Sequence, residues 1–359
     1  MCTMMRQEAA RLRIERAGES GAFHMVGRPV ITIVVPVYQV SSYLDRCVQS
    51  LVTQTYRELS IILVDDGSTD GSGELCDQWG DTDTRIQVIH QVNKGLSAAR
   101  NRGLASCETD YVAFVDSDDY VEPTFIECLY RALAHGEADM SMCAFLEEDD
   151  EGHALSEGPI FPRSGVVTGT QLMIDAARPD HWGDIVAWNK LYRREKWDGI
   201  AYPEGRLHED EFVFHAIASE CKKVAVSNDI LYHYVQRAGS IMKQMTLRST
   251  ADAAVALSER LDFYHSEHID AAIAGTFDSL ISQFIAICLL EKENKDLEQP
   301  QAEVIRMVSN QAKAVMARIG TCGMGWRQKL KRAFCLVFSP RRYARMVAAL
   351  RYCKPCDGR

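Results

Sequence analysis

A short apolar run that ends in three carboxylates is the feature that most constrains this fold. Residues 111–115 are apolar or aromatic, and Asp116, Asp118 and Asp119 follow within four positions. An apolar run of this length, ended by polar residues, predicts a buried parallel strand. Because ligands of open α/β sheets bind just beyond the carboxyl ends of strands, we expect these carboxylates to line a crevice.

The spacing of the carboxylates indicates a divalent cation. Since side chains alternate along an extended chain, Asp116 and Asp118 lie on the same side. Two carboxylates held that close need a proton or a cation between them. Magnesium is typically held by one or two carboxylates together with substrate phosphates. The alternative is an acidic turn in which Asp119 caps the next helix.

Strand and helix patterns alternate through the first third of the chain. Apolar or β-branched runs predict strands at 31–37, 59–64, 86–89 and 111–115, and helical patterns separate them near 43–54, 70–79 and 98–104. Parallel strands need crossover connections of this length. The pattern therefore predicts an α/β fold with a Rossmann-like, mostly parallel sheet and flanking helices.

The remainder of the chain is first mixed and then helical. We expect a helix at 122–135, a strand at 138–145, an acidic solvated loop at 147–151, a strand at 187–192, a helix at 207–220 and a strand at 224–234. Helical periodicity alone covers 251–268, 271–292 and 302–319. The predicted divisions are a disordered leader at 1–28, the α/β domain at 29–245, a helical region at 246–324 and a basic amphipathic tail at 325–359.

Charge is distributed unevenly along the chain. The formal net charge is −10, but residues 320–359 hold ten Lys and Arg against Asp357, so the remainder carries −19. The acidic body argues against nucleic acid as a partner, and the basic tail suggests an anionic surface. With no visible signal peptide and no window of 18 apolar residues, we expect a cytoplasmic protein with reduced thiols.

The cysteines do not indicate a zinc site. Twelve are scattered through predicted strands and helices, and the one C-x-x-C, formed by Cys353 and Cys356, lacks the second pair that four-coordinate zinc needs. The role of that pair stays open, as does a start of translation at Met1 or Met25.

Three predicted strands end in polar segments at one edge of the sheet. The segments are Pro36-Val37-Tyr38, Asp65-Asp66-Gly67-Ser68 and Asp116-Ser117-Asp118. No G-x-G-x-x-G follows the first strand and no Walker loop occurs in the chain, so a plain dinucleotide or ATP site is not expected. A nucleotide whose phosphates are held by a metal ion fits better.

An ordered set of motifs covers about 30–241. The motifs are Val35-Pro36-Val37-Tyr38, Val64-Asp65-Asp66-Gly67-Ser68-Thr69-Asp70, Asn93-x-Gly95-Leu96-Ser97-x-x-Arg100-Asn101, Phe114-Val115-Asp116-Ser117-Asp118-Asp119, Trp188-Asn189-Lys190-Leu191-Tyr192, Glu209-Asp210 and Tyr234-x-x-Arg237-x-Gly239-Ser240-Ile241. This set resembles the family 2 glycosyltransferases of bacteria, which have the GT-A fold. The resemblance implies a nucleotide half at about 29–120, an acceptor half at about 121–245, and inverting transfer from a UDP-sugar to a hydroxyl of a cell-surface glycan or lipid-linked acceptor.

The resemblance also implies roles for individual residues. The nucleotide contacts would be Pro36, Val37, Tyr38 and Asp66 at the uridine, Asn93 and Arg100 as steadying groups, and Asp116 with Ser117 at the ribose. The metal ligand for Mn²⁺ or Mg²⁺ would be Asp118, with Asp116. The pyrophosphate clamp would be Arg237 and Ser240, and the catalytic base Asp210, with Glu209 beside it.

The chemistry of sugar transfer requires these residue types. A divalent ion neutralises the leaving diphosphate, and a guanidinium adds bidentate phosphate contacts. A base on the opposite face of the sugar takes the proton of the acceptor hydroxyl, and a single displacement of this kind inverts the anomeric centre. We expect Asp210, at a helix N-terminus, to stay ionised because the helix dipole favours the anion.

Two other functions stay open at this point. A sugar nucleotidyltransferase would show a glycine-rich basic loop after its first strand, where this chain has Pro36-Val37-Tyr38-Gln39-Val40. A non-catalytic nucleotide-binding scaffold would be expected to lose acidic site residues, which are present here.

The basic tail predicts a peripheral anchor at the inner face of the plasma membrane. Its apolar residues recur at helical spacing, with most cations on other faces: Trp326, Leu330, Ala333, Phe334, Val337 and Phe338, then after Pro340 Tyr343, Met346, Val347 and Leu350. That is the composition of an interfacial amphipathic helix through 325–352. The alternatives are a helix pair that covers the acidic body and a homodimer contact.

Overall fold

The computed structural model describes residues 28–157, 161, 163–179, 181–237, 246–293, 299–319, 321 and 324–352. The predicted leader lies outside the described residues except for Arg28. The described strands are β1 Ile31–Val37, β2 Leu59–Asp65, β3 Ile86–His90, β4 Tyr111–Phe114, β5 Tyr120–Val121, β6 Met140–Asp149, β7 Ala154–Glu157, β8 Gly165–Val167, β9 Lys190–Arg193 and β10 Val224–Gln236.

The described helices alternate with the first strands and then follow one another without interruption. They are α1 Leu44–Val52, α2 Ser72–Thr82, α3 Leu96–Ala105, α4 Phe125–Gly136, α5 Gly169–Ala176, α6 Glu209–Glu220, α7 Leu247–Ser266, α8 Asp270–Glu293, α9 Gln299–Arg318, α10 Trp326–Phe338 and α11 Pro340–Tyr352. Short 3₁₀ turns lie at Trp182–Asp184 and Arg194–Trp197. The four strands predicted in the first third are confirmed, as are the three long helices after position 246.

One mixed sheet runs through the α/β part in the order β3-β2-β1-β4-β9-β6-β10-β5. Strands β3, β2, β1 and β4 are parallel neighbours, while β9 runs antiparallel between β4 and β6. Val37 pairs with Asp65, and Val34 pairs with Phe114. This register brings the carboxyl ends of β1, β2 and β4 to one edge, as the sequence predicts.

Alternation along the strands separates two apolar cores. Val34 and Phe114 pack on one face with α3, α5, α6 and the helices from α7 onward. Ile33 and Val35 pack on the other face with α1, α2 and α4. Complete burial of each such side chain contributes about 1.5–3 kcal/mol. Because one core is continuous from the sheet into the C-terminal helices, those helices stabilise the sheet directly.

One glycine brings the turn after β2 against the next loop. Gly67 has a φ of +71°, and a Cβ at this position would lie 2.9 Å from the backbone nitrogen of Asn93. Only glycine adopts this conformation and this close approach without strain. The turn that carries Asp65 and Asp66 is thereby held against the loop between β3 and α3.

The prediction of an acidic loop at 147–151 is wrong for residues 147–149. Strand β6 continues through Asp149, and Glu148 is buried. The Tyr120 hydroxyl donates to Glu148 at 2.5 Å, and Nδ1 of His233 lies 3.1 Å from the same carboxylate. A buried carboxylate with such partners is stable inside a sheet. No pattern in the sequence had indicated β7, β8 or α5.

One described helix is long and apolar enough to cross a membrane by length and composition alone, at Asp270–Glu291 in α8. Its Phe277, Leu280 and Phe284 are completely buried in the core that joins the sheet to the C-terminal helices. A core helix has the same length and composition, so this helix is weak evidence for a membrane span.

Candidate active site

The edge at the carboxyl ends of β1, β2 and β4 forms the floor of the site. Pro36 and Val37 are buried at the end of β1, and Tyr38, which follows, is 46% exposed. Ser117 is buried behind the end of β4, and Asn93 is exposed on the loop before α3. An exposed ring beside buried backbone is suited to stacking on a nucleobase.

The carboxylate of Asp66 organises the loop between β3 and α3. It is buried and accepts hydrogen bonds from the backbone N–H groups of Lys94 and Gly95 at 2.9 and 2.7 Å and from the Gln91 side chain at 2.7 Å. A carboxylate has about four acceptor positions, so one remains for a further donor. Its neighbour Asp65 accepts from the Ser68 N–H at 3.0 Å, as expected of a turn residue.

Asp119 does not line the crevice, and it does not cap the next helix, whose N-cap is Thr124. It is buried, and its two oxygens accept from the Tyr232 hydroxyl at 2.7 Å and the Val235 N–H at 2.8 Å. The same hydroxyl accepts from the Asp116 N–H at 3.1 Å. Tyr232, which the sequence reasoning missed, therefore fixes the acidic loop to β10.

Arg100 joins the acidic loop to the start of α6. It is only 2% exposed, and its guanidinium donates to Oδ1 of Asp116 at 2.6 Å and to Oε1 of Glu209. The Arg100 side chain is therefore buried between two carboxylates rather than exposed on α3. A planar guanidinium that pairs with two carboxylates fixes their relative position far better than an ammonium does.

Asp118 is paired with the cation predicted to hold the diphosphate. Nε of Arg237 donates to Oδ2 of Asp118 at 2.7 Å, and the guanidinium lies 5.5 Å from the centre of the Tyr43 ring. Burial, followed by the negative charge of Asp116, raises the pKa of Asp118, and Arg237 opposes this shift. Asp116 and Asp118 therefore lie close enough for their charges to interact, and a bound cation would stabilise both in the ionised form.

Asp210 lies in the first turn of α6, between two other carboxylates. Burial, then the charges of Glu209 and Glu211, raise the pKa of Asp210 to about 7, while Arg100 opposes the shift. The expectation that the helix dipole keeps this carboxylate fully ionised is therefore wrong, because burial and like charges outweigh it. A pKa close to the working pH suits a general base.

The start of α6 is also held from the C-terminal helices. Arg260 on α7 is buried, and one of its nitrogens donates to two acceptors on Glu211. These are the backbone carbonyl oxygen, at 2.9 Å, and the side-chain carboxylate. Arg100 holds Glu209 from the other side. Asp210 thus lies between two ion pairs whose arginines are buried, and the sequence predicted neither pair.

The segment that leads into β9 packs beneath Asp210. Trp188 and Tyr192 are buried, and Trp188 stacks on Tyr232 at 4.3 Å between ring centroids, so packing accounts for both residues. The buried Lys190 donates to the Asn189 side chain at 2.7 Å and to the Val186 carbonyl. Burial lowers the pKa of Lys190 to about 7, against the charges of Asp184 and Asp210.

The sequence of this chain is similar to those of known proteins. The model of the family described as glycosyl transferase family 2 matches residues 32–199. Glycosyltransferase GlyG of Streptococcus pneumoniae serotype 4 is 33% identical over 287 residues, which are 76% of this chain and 90% of GlyG. The chain belongs to glycosyl transferase family 2. Glycosyl transfer is therefore the activity of this family, rather than sugar nucleotidyl transfer or non-catalytic nucleotide binding.

A second relative shows that the chain corresponds to part of some longer proteins. Glycosyltransferase GlyA of the same organism is 36% identical over 236 residues. That match covers 64% of this glycosyltransferase but only 34% of GlyA, so the chain spans about a third of that relative.

Solved structures show that the fold is GT-A. Residues 1–349 of TarS from S. aureus, in complex with UDP-GlcNAc, superpose with a TM-score of 0.67 at 18% identity, covering 90% of this chain and 92% of that one. The mannosyltransferase PcManGT from Pyrobaculum calidifontis, in complex with GDP-Man and Mn²⁺, gives a TM-score of 0.50 at 14% identity over 95% and 92% of the chains.

The acidic loop of this glycosyltransferase has the donor set of a divalent ion site. Asp116 and Asp118 carry carboxylate oxygens, the type of ligand that Mg²⁺ and Mn²⁺ prefer, and burial followed by the charge of Asp116 raises the pKa of Asp118. Among the described residues, Asp149, Glu151 and His153 also lie close enough to hold an ion, but Glu151 and His153 are exposed on a turn. Ser240 lies outside the described residues.

Proposed function

We propose that this glycosyltransferase moves a sugar from a UDP-sugar to an acceptor hydroxyl by a single displacement that inverts the anomeric centre. The observation that carries the proposal is the linkage of three groups around one edge of the sheet. Arg100 joins Asp116 to the helix turn that holds Asp210, and Arg237 joins β10 to Asp118. Donor-binding and proton-accepting groups therefore have fixed relative positions.

The nucleotide is proposed to bind at the ends of β1 and β2. Tyr38 stacks on uracil, the remaining acceptor position of Asp66 receives the uracil N–H, and Asn93 contacts the nucleotide from the loop before α3. Buried Pro36, Val37 and Ser117 shape the floor, and Asp116 contacts the ribose. The same fold in TarS, which was solved with UDP-GlcNAc and with UDP, supports a UDP-sugar donor.

Asp118, with Asp116, is proposed to hold a Mn²⁺ or Mg²⁺ ion, which when bound supplies Lewis-acid neutralisation of the diphosphate. Arg237 exchanges its contact with Asp118 for one with the diphosphate, and Ser240 completes this clamp. A guanidinium in that position adds charge-assisted hydrogen bonds that shield the leaving group. The solved complex of PcManGT with GDP-Man and Mn²⁺ supports a metal ion in this fold.

Asp210 is proposed to accept the proton of the acceptor hydroxyl. The two flanking ion pairs hold the first turn of α6, so the carboxylate is pre-positioned rather than mobile. Its pKa of about 7 leaves a large fraction ionised at neutral pH and makes it a stronger base than an ordinary aspartate. Glu209 and Glu211 maintain that basicity by their charge.

A donor screen tests this function. The purified chain is mixed with each of several UDP-sugars and Mn²⁺ or Mg²⁺, and UDP release is followed with and without candidate glycans. Metal-dependent UDP release with at least one donor is expected, and NMR of the product should show the inverted anomer. A product with the donor's own configuration would overturn the single displacement. Formation of UTP and sugar 1-phosphate on addition of pyrophosphate, with no release of UDP, would overturn glycosyl transfer.

We also propose that α10 and α11 bind an anionic membrane that carries a lipid-linked acceptor, at the cytoplasmic face. Trp326, Leu330, Ala333 and Val337 are exposed along one face of α10, at spacings of four, three and four residues. Aromatic and aliphatic side chains in such a stripe insert at a bilayer surface.

The cations of this pair of helices divide between two roles. Lys331 pairs with Asp278 at 2.6 Å, and Arg341 pairs with Glu291, so part of the positive charge holds the pair against α8. Arg327, Lys329 and Arg342 are exposed. Each cation close to an anionic leaflet contributes roughly 1 kcal/mol. The helix pair therefore covers the acidic body and still presents an apolar and cationic surface. A homodimer through the same surface is the competing proposal.

A further inference from the structure

A polar cavity lies beside the start of α6, on the side of the C-terminal helices. It has a volume of about 230 Å³ and is bounded by α5 and the turn after it, the Trp182–Asp184 turn, α7, α8 and the first turn of α6. Glu211, the neighbour of Asp210, contributes to its wall. Ile185 lines both this cavity and the small apolar space next to Asp210.

We propose that this cavity binds one sugar residue of the acceptor, and the inference rests on the proposed transfer reaction. Pockets for drug-sized ligands have volumes of about 300–1,000 Å³. A cavity of about 230 Å³ therefore suits a single pyranose ring rather than an oligosaccharide. Glu211, which lines the cavity, directly follows the proposed base Asp210 in the chain.

An aromatic side chain forms part of the wall. Trp182 contacts the rings of Phe145 at 4.8 Å, Tyr234 at 6.0 Å and Trp188 at 6.3 Å, and 38% of it remains exposed. These contacts hold the indole in one orientation. A rigid, partly exposed indole offers the apolar surface on which the C–H face of a sugar packs, and its N–H offers a polar handle.

The rest of the wall combines hydrogen-bond donors and acceptors. Arg178, Arg260, Glu211 and Gln283 all line the cavity. Arginine donates, a carboxylate accepts, and an amide does both, which matches sugar hydroxyls that donate and accept at once. Arg260 is buried, and its Nε has no hydrogen-bond partner among the described residues. A buried polar group without a partner costs free energy, so its presence calls for an explanation.

Two arginines on Asp175 provide a matched pair of variants. Arg178 and Arg163 both form ion pairs with Asp175, at 3.0 and 3.2 Å, and their side chains are 45% and 49% exposed. Arg178 lines the cavity and Arg163 does not. Arg178→Gln and Arg163→Gln therefore remove the same ion-pair chemistry, but only the first removes a donor from the cavity.

The probes are methyl glycosides of common hexoses and N-acetylhexosamines, and their binding is followed by saturation-transfer NMR and tryptophan fluorescence. At least one glycoside should bind the wild type. Its affinity for Arg178→Gln should be about tenfold weaker, and its affinity for Arg163→Gln should be unchanged. Trp182→Leu should also weaken binding and remove most of the fluorescence response. Circular dichroism and thermal unfolding, which do not depend on nucleotide binding, show whether each variant is folded.

The two proposals fail in different ways. If the wild type turns over a UDP-sugar but binds none of the glycosides, or if Arg178→Gln and Arg163→Gln bind equally, the cavity is not the sugar site. If a glycoside binds in the cavity as expected while no UDP-sugar is bound or turned over, the sugar site stands and the donor proposal is overturned.

Discussion

Arg237 donates a hydrogen bond from Nε to Oδ2 of Asp118 at 2.7 Å. The carboxylate proposed to hold the metal ion and the cation proposed to hold the diphosphate are thus partners of one another. Binding of metal and nucleotide must exchange this contact for two others, so the two binding events are coupled through Arg237.

Arg237→Gln should change metal binding and nucleotide binding in opposite directions. Removing the cation that pairs with Asp118 leaves that carboxylate without its partner, so Mn²⁺ alone should bind more tightly. UDP in the presence of Mn²⁺ should bind more weakly, because a charge-assisted phosphate contact is lost. Calorimetry of both titrations checks this, and weaker binding of Mn²⁺ alone would contradict the exchange of partners.

Asp118→Ala should abolish metal-dependent UDP binding, because it deletes the proposed ligand between protein and diphosphate. Calorimetry with UDP, with and without Mn²⁺, measures the effect. The matched control is Glu151→Gln in the exposed group with Asp149 and His153, the other described cluster that could hold an ion. Unchanged UDP affinity in Asp118→Ala, or loss of metal-dependent UDP binding in Glu151→Gln, would show that Asp118 is not the metal ligand.

Asp210→Asn should retain donor binding and lose transfer. The amide has nearly the same shape but cannot take a proton as a carboxylate does, and loss of a general base typically reduces the rate about 10²–10⁴-fold. The control is Glu204→Gln, an exposed carboxyl in the loop before α6. Transfer at a wild-type rate by Asp210→Asn, with UDP-sugar bound normally, would show that another group is the base.

The rate of transfer should rise with pH through about 7. Burial, then the charges of Glu209 and Glu211, raise the pKa of Asp210 to about 7, and Arg100 opposes the shift. The charge of Asp210 in turn acts on the buried Lys190. Only the ionised carboxylate accepts a proton, so the rate falls as pH drops below that value. In Glu209→Gln a neighbouring negative charge is gone, so the pKa falls and the midpoint moves to lower pH. A midpoint that stays or rises would exclude Asp210 as the titrating group.

Leu330→Gln should weaken binding to anionic vesicles, because Leu330 is 65% exposed in the apolar stripe of α10. Met307→Gln on α9 is the control, since Met307 is 63% exposed outside that stripe. Co-sedimentation with vesicles at low and high salt measures both, and salt should reduce binding because it screens the exposed cations. Equal pelleting of the two variants would contradict the membrane surface on α10. Dissociation of a dimer in Leu330→Gln without vesicles would favour the homodimer.

Local sequence was sufficient for the order of the first four strands and the helices between them, and for the edge of the sheet that carries the candidate site. The apolar runs that end at Asp65 and Asp116 predicted β2 and β4. Alternation of side chains along the chain predicted that Asp116 and Asp118 lie on the same side. These features depend on propensities and spacings within a few residues, which a single sequence displays directly. The division into a domain ending at 245 and a helical region stays a prediction.

Tertiary structure alone decided how the charged groups are partnered. Arg100 and Glu209 are 109 positions apart, and Tyr232 and Asp119 are 113 apart, yet each pair is in hydrogen-bond contact. The burial that raises the pKa of Asp210 likewise comes from packing around the start of α6. Desolvation and ion pairing depend on distances in space, which periodicity along the chain does not contain. The sequence therefore located the candidate carboxylates, and only the fold determined which of them is paired and which is buried.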